Sequence, residues 1–143
     1  MIRNFNEKDI DKIMQIWIDT NIRAHKFIKE SYWKDNFEIV KSILPTAEIY
    51  VYVSEEYEDI KGFIGLNNNY IEGIFVLEEE QSKGIGKQLL DYAKKIKNKL
   101  NLNVYKNNKR AIEFYKREGF IVKLENIEET TGEYEYLMEW KNS

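Results

Sequence analysis

Gln81-Ser-Lys-Gly-Ile-Gly86 follows an apolar strand pattern and opens an amphipathic helix pattern. The first turn of a helix carries N–H groups with no intrahelical partner, and the aligned peptide dipoles place partial positive charge there. Such a terminus binds a phosphate or diphosphate. Gly84 and Gly86 have no side chain, so a ligand can approach the backbone, and Lys83 and Lys87 add positive charge on either side. Two phosphate motifs are excluded by spacing. A P-loop needs Ser or Thr after its Lys, and Gln88 follows Lys87. A dinucleotide fingerprint needs a further glycine where Leu89 stands. What remains is Gln-x-x-Gly-x-Gly directly after a strand. His25 is the only histidine, a side chain that ordinarily titrates near neutrality.

The elements that must position these groups can be traced along the chain. Residues 2–5 alternate as an opening strand, and Asn6 caps a first helix that carries Ile10, Ile13 and Trp17 to about Ile22. A loop with His25 and Phe27 leads to a second helix over 32–44, capped by Ser31 and stopped by Pro45. Residues 48–54 and 60–66 form a hairpin, and 70–76 the next strand, where Gly73 predicts a bulge or a close backbone approach. From Gly84 a helix carries Ile85, Leu89, Ala93, Ile96 and Leu100 on one stripe. A strand over 102–105, a helix capped by Asn107 or Asn108 and ended by Gly119, and strands over 120–124 and 133–140 complete the chain. This order predicts a mixed α/β sheet with helices on both faces.

The 143 residues fit one domain, and 43% hydrophobic with 33% charged residues reads as globular. The absence of cysteine excludes disulfide and thiolate chemistry, and no metal site is expected. A net charge of −3 disfavours a nucleic-acid partner and leans towards a cationic substrate. No apolar run reaches the ~20 residues a membrane span needs. Met1-Ile-Arg-Asn carries no signal region, so the expected location is cytoplasmic with no membrane partner.

The glycine-bearing stretch resembles the acetyl-CoA signature of the GNAT superfamily of N-acetyltransferases. A second block, Asn108-Lys-Arg-Ala111-Ile-Glu-Phe-Tyr115-Lys-Arg-Glu-Gly119-Phe120, resembles the Asn-x-x-Ala-x-x-x-Tyr-x-x-x-Gly-Phe segment that closes the GNAT core. Two motifs in order, with a strand between them, are far more specific than either alone. The resemblance implies a single N-acetyltransferase domain over 1–143 whose central strands splay apart. It places acetyl-CoA along Ile74, Phe75 and Val76, with its diphosphate on Gln81, Ser82, Lys83, Gly84, Ile85, Gly86 and Lys87. Asn108 contacts the cofactor arm, and Tyr115 directs its hydroxyl at the thioester sulfur. Asn108 and Tyr115 lie two helical turns apart and so share a face.

The implied chemistry is attack by a primary amine, from a small molecule, a protein lysine or an N-terminus, on the thioester. Tyr115, protonated at neutral pH, serves as general acid. Family members often carry a glutamate base in the strand before Asn108. Here Asn103 takes that place and cannot accept a proton. The alternative bases are Glu72, expected on the same side of its strand as Ile74 and Val76, and His25. Phe27, Tyr32, Trp33 and Tyr70, together with His25, are the expected acceptor walls, since aromatic faces suit an alkylammonium. The alternative function is a non-catalytic acyl-CoA sensor or subunit of the same fold. The oligomer is a monomer or a homodimer, the latter through an exposed last strand.

Overall fold

Period-two alternation sets the sheet. Along Glu48–Val53 it buries Ile49, Val51 and Val53 and turns the residues between them to the other side. The computed structural model describes residues 1–143. The chain runs β1 (Ile2–Asn4), α1 (Ile10–Ala24), α2 (Glu30–Ile43), β2 (Glu48–Val53), β3 (Ile60–Asn67), β4 (Tyr70–Val76), α3 (Ile85–Ile96), β5 (Lys99–Tyr105), α4 (Lys109–Arg117), β6 (Ile121–Ile127) and β7 (Tyr134–Lys141). The seven strands form one mixed sheet in the order β1-β2-β3-β4-β5-β7-β6. Every neighbouring pair is antiparallel except β4 and β5, and α3 makes the crossover that a parallel pair requires.

Helices cover both faces, as the element order predicts. On one face α1 and α2 bring Ile13, Ile16, Trp17 and Trp33 against Val51 and Phe63. On the other, α3 and α4 bring Leu89, Leu90, Ala93, Ile112 and Tyr115 against Ile64, Leu66, Ile71, Leu102 and Met138. Each fully buried aliphatic side chain contributes roughly 1.5–3 kcal/mol, so the two layers hold the sheet from both sides. The start of α1 is pinned to β1. The Asp9 carboxylate accepts from Arg3 Nη1 and Nη2 at 2.8 and 3.0 Å and from the Asn6 N–H at 2.9 Å.

Several local expectations are corrected. Asn6 caps a short turn, Glu7–Asp9, from which α1 continues to Ala24. Ser31 lies inside the first turn of α2, whose start at Glu30 has no side-chain cap. Leu100 is not on the helix stripe: α3 ends at Ile96, and Leu100 enters the core from β5. The last strand is not the free edge, because β7 lies between β5 and β6, and β6 forms the edge with every residue exposed.

Gly62 lets β3 and β4 approach. A Cβ there would lie 2.7 Å from the Phe75 carbonyl oxygen and 3.3 Å from Val76 Cα. Backbone on both sides leaves no soft group to move. Gly62→Ala is therefore expected to destabilise the fold by about 1–3 kcal/mol. Urea denaturation should show this as a lower midpoint with an unchanged slope.

Candidate active site

A β-bulge shapes the cleft. Gly65 pairs with Gly73 and Leu66 with Ile71, so Glu72 has no partner on β3. A bulge bends its strand and re-aims the side chains around it. β4 touches β5 through one pair, Tyr70 with Asn101, and the two strands part beyond it. The Leu77 N–H donates to the Lys61 carbonyl at 3.0 Å, so the register assigns the backbone groups of Phe75 and Leu77 to β3. Those of Ile74 and Val76 then face the gap. The Val76 carbonyl confirms this orientation by accepting from Gln81 Nε2 at 3.1 Å. The gap opens into a cavity of about 860 Å³ whose lining includes Ile74, Val76, Gly84, Gly86, Asn108 and Tyr115.

The helix start at one end of this cavity fits an anion. Gly84 precedes α3 with φ 86° and no side chain caps the first turn. The space where a Gly84 Cβ would point is open to 4 Å. Ser82 also has a left-handed backbone, φ 68°, which costs a non-glycine residue about 1–2 kcal/mol. Arg110, a residue the motif comparison passes over, spans the loop. Its Nη1 donates to Gln81 Oε1 at 2.7 Å and its Nη2 to Ser82 Oγ at 3.2 Å. The pattern gives only a variable position there, although its charge and its place in the first turn of α4 are visible. Lys87 is ion-paired with Glu118 at 3.1 Å, and exposed Lys83 with Glu80 at 3.6 Å. The Ile85 side chain points into the core, so only its backbone can reach a ligand.

Tyr115 is 8% exposed and packs edge-on against Phe114 and Phe120. The only sealed polar side-chain atoms without a partner are His25 Nδ1 and Trp33 Nε1. The Tyr115 hydroxyl is not among them and opens into the cleft. Burial, with a smaller contribution from Tyr70, pushes this phenol well above its ordinary pKa. Asn108 caps α4, its Oδ1 accepting from the Ala111 N–H at 3.3 Å, and its Nδ2 meets His25 Nε2 at 3.2 Å.

The face opposite α3 and α4 carries the remaining candidates. Asn103 Nδ2 donates to the Tyr70 hydroxyl at 3.0 Å across the mouth of the gap. Burial raises the Tyr70 pKa, and the Glu72 and Glu135 charges add to the shift. Glu72 does not share a side with Ile74 and Val76, because the bulge reverses the alternation. It borders a second cavity of about 600 Å³, with Phe63 and Phe75, between the sheet and α2. Trp33 is no open wall: it is 7% exposed and packs against Trp17, Tyr32 and His25. Phe27 is half-buried against His25 and Tyr105. His25 does not suit the base role expected for it. Its Nε2 is taken by Asn108, its Nδ1 is sealed, and burial pushes its pKa down to about 4.

A parted pair of strands, an uncapped helix start and the Tyr115 phenol thus border one cavity, an arrangement that fits a ligand with a phosphate-bearing arm. The profile of the acetyltransferase (GNAT) domain matches residues 45–122, more than half of the chain. Peptidyl-lysine N-acetyltransferase YiaC of Escherichia coli (strain K12) is 32% identical over 84% of this chain and 82% of its own. Peptidyl-lysine N-acetyltransferase YjaB of Salmonella typhimurium is 31% identical over 85% of this chain and 83% of its own. The solution structure of apo-form YjaB from Escherichia coli has a TM-score of 0.88 at 23% identity, covering 100% of this chain and 98% of that one. PaiA N-acetyltransferase from Thermoplasma acidophilum, solved in complex with coenzyme A, has a TM-score of 0.83 at 20% identity, covering 99% and 98%. These two structures show the shared fold. The chain belongs to the GNAT family: it is an N-acetyltransferase, and the acyl donor of that family is acetyl-CoA.

The buried imidazole makes stability depend on pH in a defined direction. Its folded pKa of about 4 lies below the unfolded value of 6.5. Between these values the unfolded chain binds more protons, so stability falls as pH drops from 6.5 and the loss is complete below about 4. A shift of this size corresponds to about 3 kcal/mol. His25→Phe should remove that part of the slope. Urea denaturation of both proteins at pH 7 and at pH 4.5 checks this, with the wild type expected to lose more stability than the variant.

Proposed function

We propose that the chain moves the acetyl group of acetyl-CoA onto lysine side chains of proteins or peptides by direct attack of the amine on the thioester. The observation that carries this reading is the parting of β4 and β5 beyond Tyr70 and Asn101, with the uncapped start of α3 and the Tyr115 hydroxyl on the same cavity. The lysine acceptor is supported by two relatives above 30% identity, both named peptidyl-lysine N-acetyltransferases.

When bound, acetyl-CoA supplies a thioester carbonyl open to an amine and a sulfur that leaves with the electrons of the broken bond. The first-turn amides of α3, the loop from Gln81 to Lys87, and Arg110 hold the diphosphate. The gap-facing backbone of Ile74 and Val76 holds the arm, and an N–H there faces the charge that grows on the carbonyl oxygen. Asn108 lines the arm. The raised pKa of Tyr115 bears on its role as acid. A phenolate above its ordinary value is a stronger base than a thiolate, whose conjugate acid has a pKa of about 8.5. Tyr115 therefore acts chiefly by donating a hydrogen bond to the departing sulfur, and the net proton comes from the attacking amine.

The proton that reaches the sulfur leaves the nitrogen after the C–N bond has formed. Before it attacks, the acceptor ammonium must lose a separate proton to solvent. Asn103 is held by Tyr70, and His25 by Asn108. Glu72 is the exposed carboxylate whose charge reaches Tyr70, and in this reading it draws the proton away through water. Phe27 and Tyr70 border the acceptor's approach.

Tyr115→Phe is expected to lower kcat by about 100-fold or more while leaving the KM for acetyl-CoA nearly unchanged. Steady-state thiol release checks both; an unchanged kcat removes Tyr115 from the chemistry. Arg110→Ala should raise the KM for acetyl-CoA about tenfold, the loss of one charged hydrogen-bonding group. The acceptor class is tested by thiol release and mass spectrometry with lysine peptides against a panel of small amines. Preferential acetylation of lysine Nζ supports the reading, and turnover confined to small amines overturns it.

A further inference from the structure

The Asn108 side-chain amide has a fixed orientation. Its Oδ1 accepts from the Ala111 N–H, so the end that meets His25 Nε2 is Nδ2, which can only donate. His25 Nε2 must then present its lone pair, which requires a neutral ring with its proton on Nδ1, an N–H that is sealed without a hydrogen-bond partner. The ring is clamped to match. Trp33 stacks on it at 5.4 Å and 28°, while Tyr105 and Phe27 meet it edge-on at 5.0 and 5.7 Å. None of these neighbours offers a charge to an imidazolium. Tyr105, which meets the ring edge-on, has its phenol held above the ordinary value by burial. The Asn21 carbonyl is the one group that favours protonation, and burial outweighs it.

We propose that His25 is a positioning residue: a neutral Nδ1–H imidazole that accepts from Asn108, fixes that amide in the wall of the donor cleft, and ties the α1–α2 loop to the start of α4. Asn108 is thereby held at both ends. Its oxygen caps α4, the helix that carries Tyr115, and its nitrogen is anchored to a ring that cannot rotate among three aromatics. One residue thus couples the loop on the acceptor side to the donor side. The kinetic consequence rests on the acetyl-CoA reading above; the tautomer does not.

The solitary histidine makes the test direct. A long-range ¹H–¹⁵N correlation spectrum of the labelled protein should show one imidazole in the Nδ1–H tautomer at pH 7, with titration midpoint about 4. Asn108→Ala should abolish that tautomer preference. An Nε2–H tautomer in the wild type, or a tautomer unaffected by Asn108→Ala, overturns the proposal. In kinetics, His25→Phe keeps the ring packing and removes the acceptor, so the KM for acetyl-CoA should rise about tenfold. His25→Gln, which restores an acceptor oxygen, should recover part of the loss. The double variant with Asn108→Ala should be no worse than Asn108→Ala alone, and additive losses would contradict the coupling. A wild type that fails to bind acetyl-CoA would defeat the functional reading, and the spectrum would still decide the His25–Asn108 contact.

Discussion

One irregular residue sets the architecture of the site. Glu72 has no partner on β3, and the bulge it makes bends β4 so that only Tyr70 remains paired with β5. Unpaired strand edges inside a fold are normally a liability, because each buried N–H and C=O needs a partner. Here the exposed groups belong to Ile74 and Val76 and line a wide cavity, where solvent or a ligand can satisfy them. The core on both sides keeps the gap from closing. Phe75 stacks on Phe63 beneath α1 and α2, and Ile112 and Tyr115 pack on the far face. Closing the strands would require undoing one of these layers.

Electrostatics around the gap divide along the same line. At the start of α3 the uncapped amides and Arg110 offer donors suited to a diphosphate, while Lys83 and Lys87 are paired with Glu80 and Glu118. Deeper in, the two titratable side chains, Tyr115 and His25, are both driven towards their neutral forms by burial. A neutral phenol and a neutral imidazole can direct hydrogen bonds without placing charge in an apolar interior. On the opposite face the Glu72 and Glu135 charges add to the burial that raises the Tyr70 pKa.

The order of elements was legible in the sequence because alternation and helical periodicity mark one-sided burial, and both GNAT motifs are continuous in the chain. Gly84 and Gly119 take the left-handed backbone that their positions suggest. What could not be read was anything that depends on the far strand. Gly73 hinted at a bulge, yet which residue loses its partner is decided by β3, and that choice moved Glu72 to the other face. His25 reads in the sequence as a loop base, because nothing local announces that Tyr105 from β5 closes around the ring together with the nearby Phe27 and Trp33. Trp33 was misplaced for the same reason. Arg110 lies in a variable position of its motif, and only the fold brings it to Gln81 and Ser82.

The most direct measurement is residue-resolved amide hydrogen exchange on β4 with and without saturating acetyl-CoA. Phe75 and Leu77, bonded to β3, should be protected in both states. Ile74 and Val76 should exchange fast in the free protein and become protected when the donor is bound. Protection of Ile74 and Val76 in the free protein would mean that β4 and β5 are joined along their length. Fast exchange of both with the donor bound would mean that it lies elsewhere.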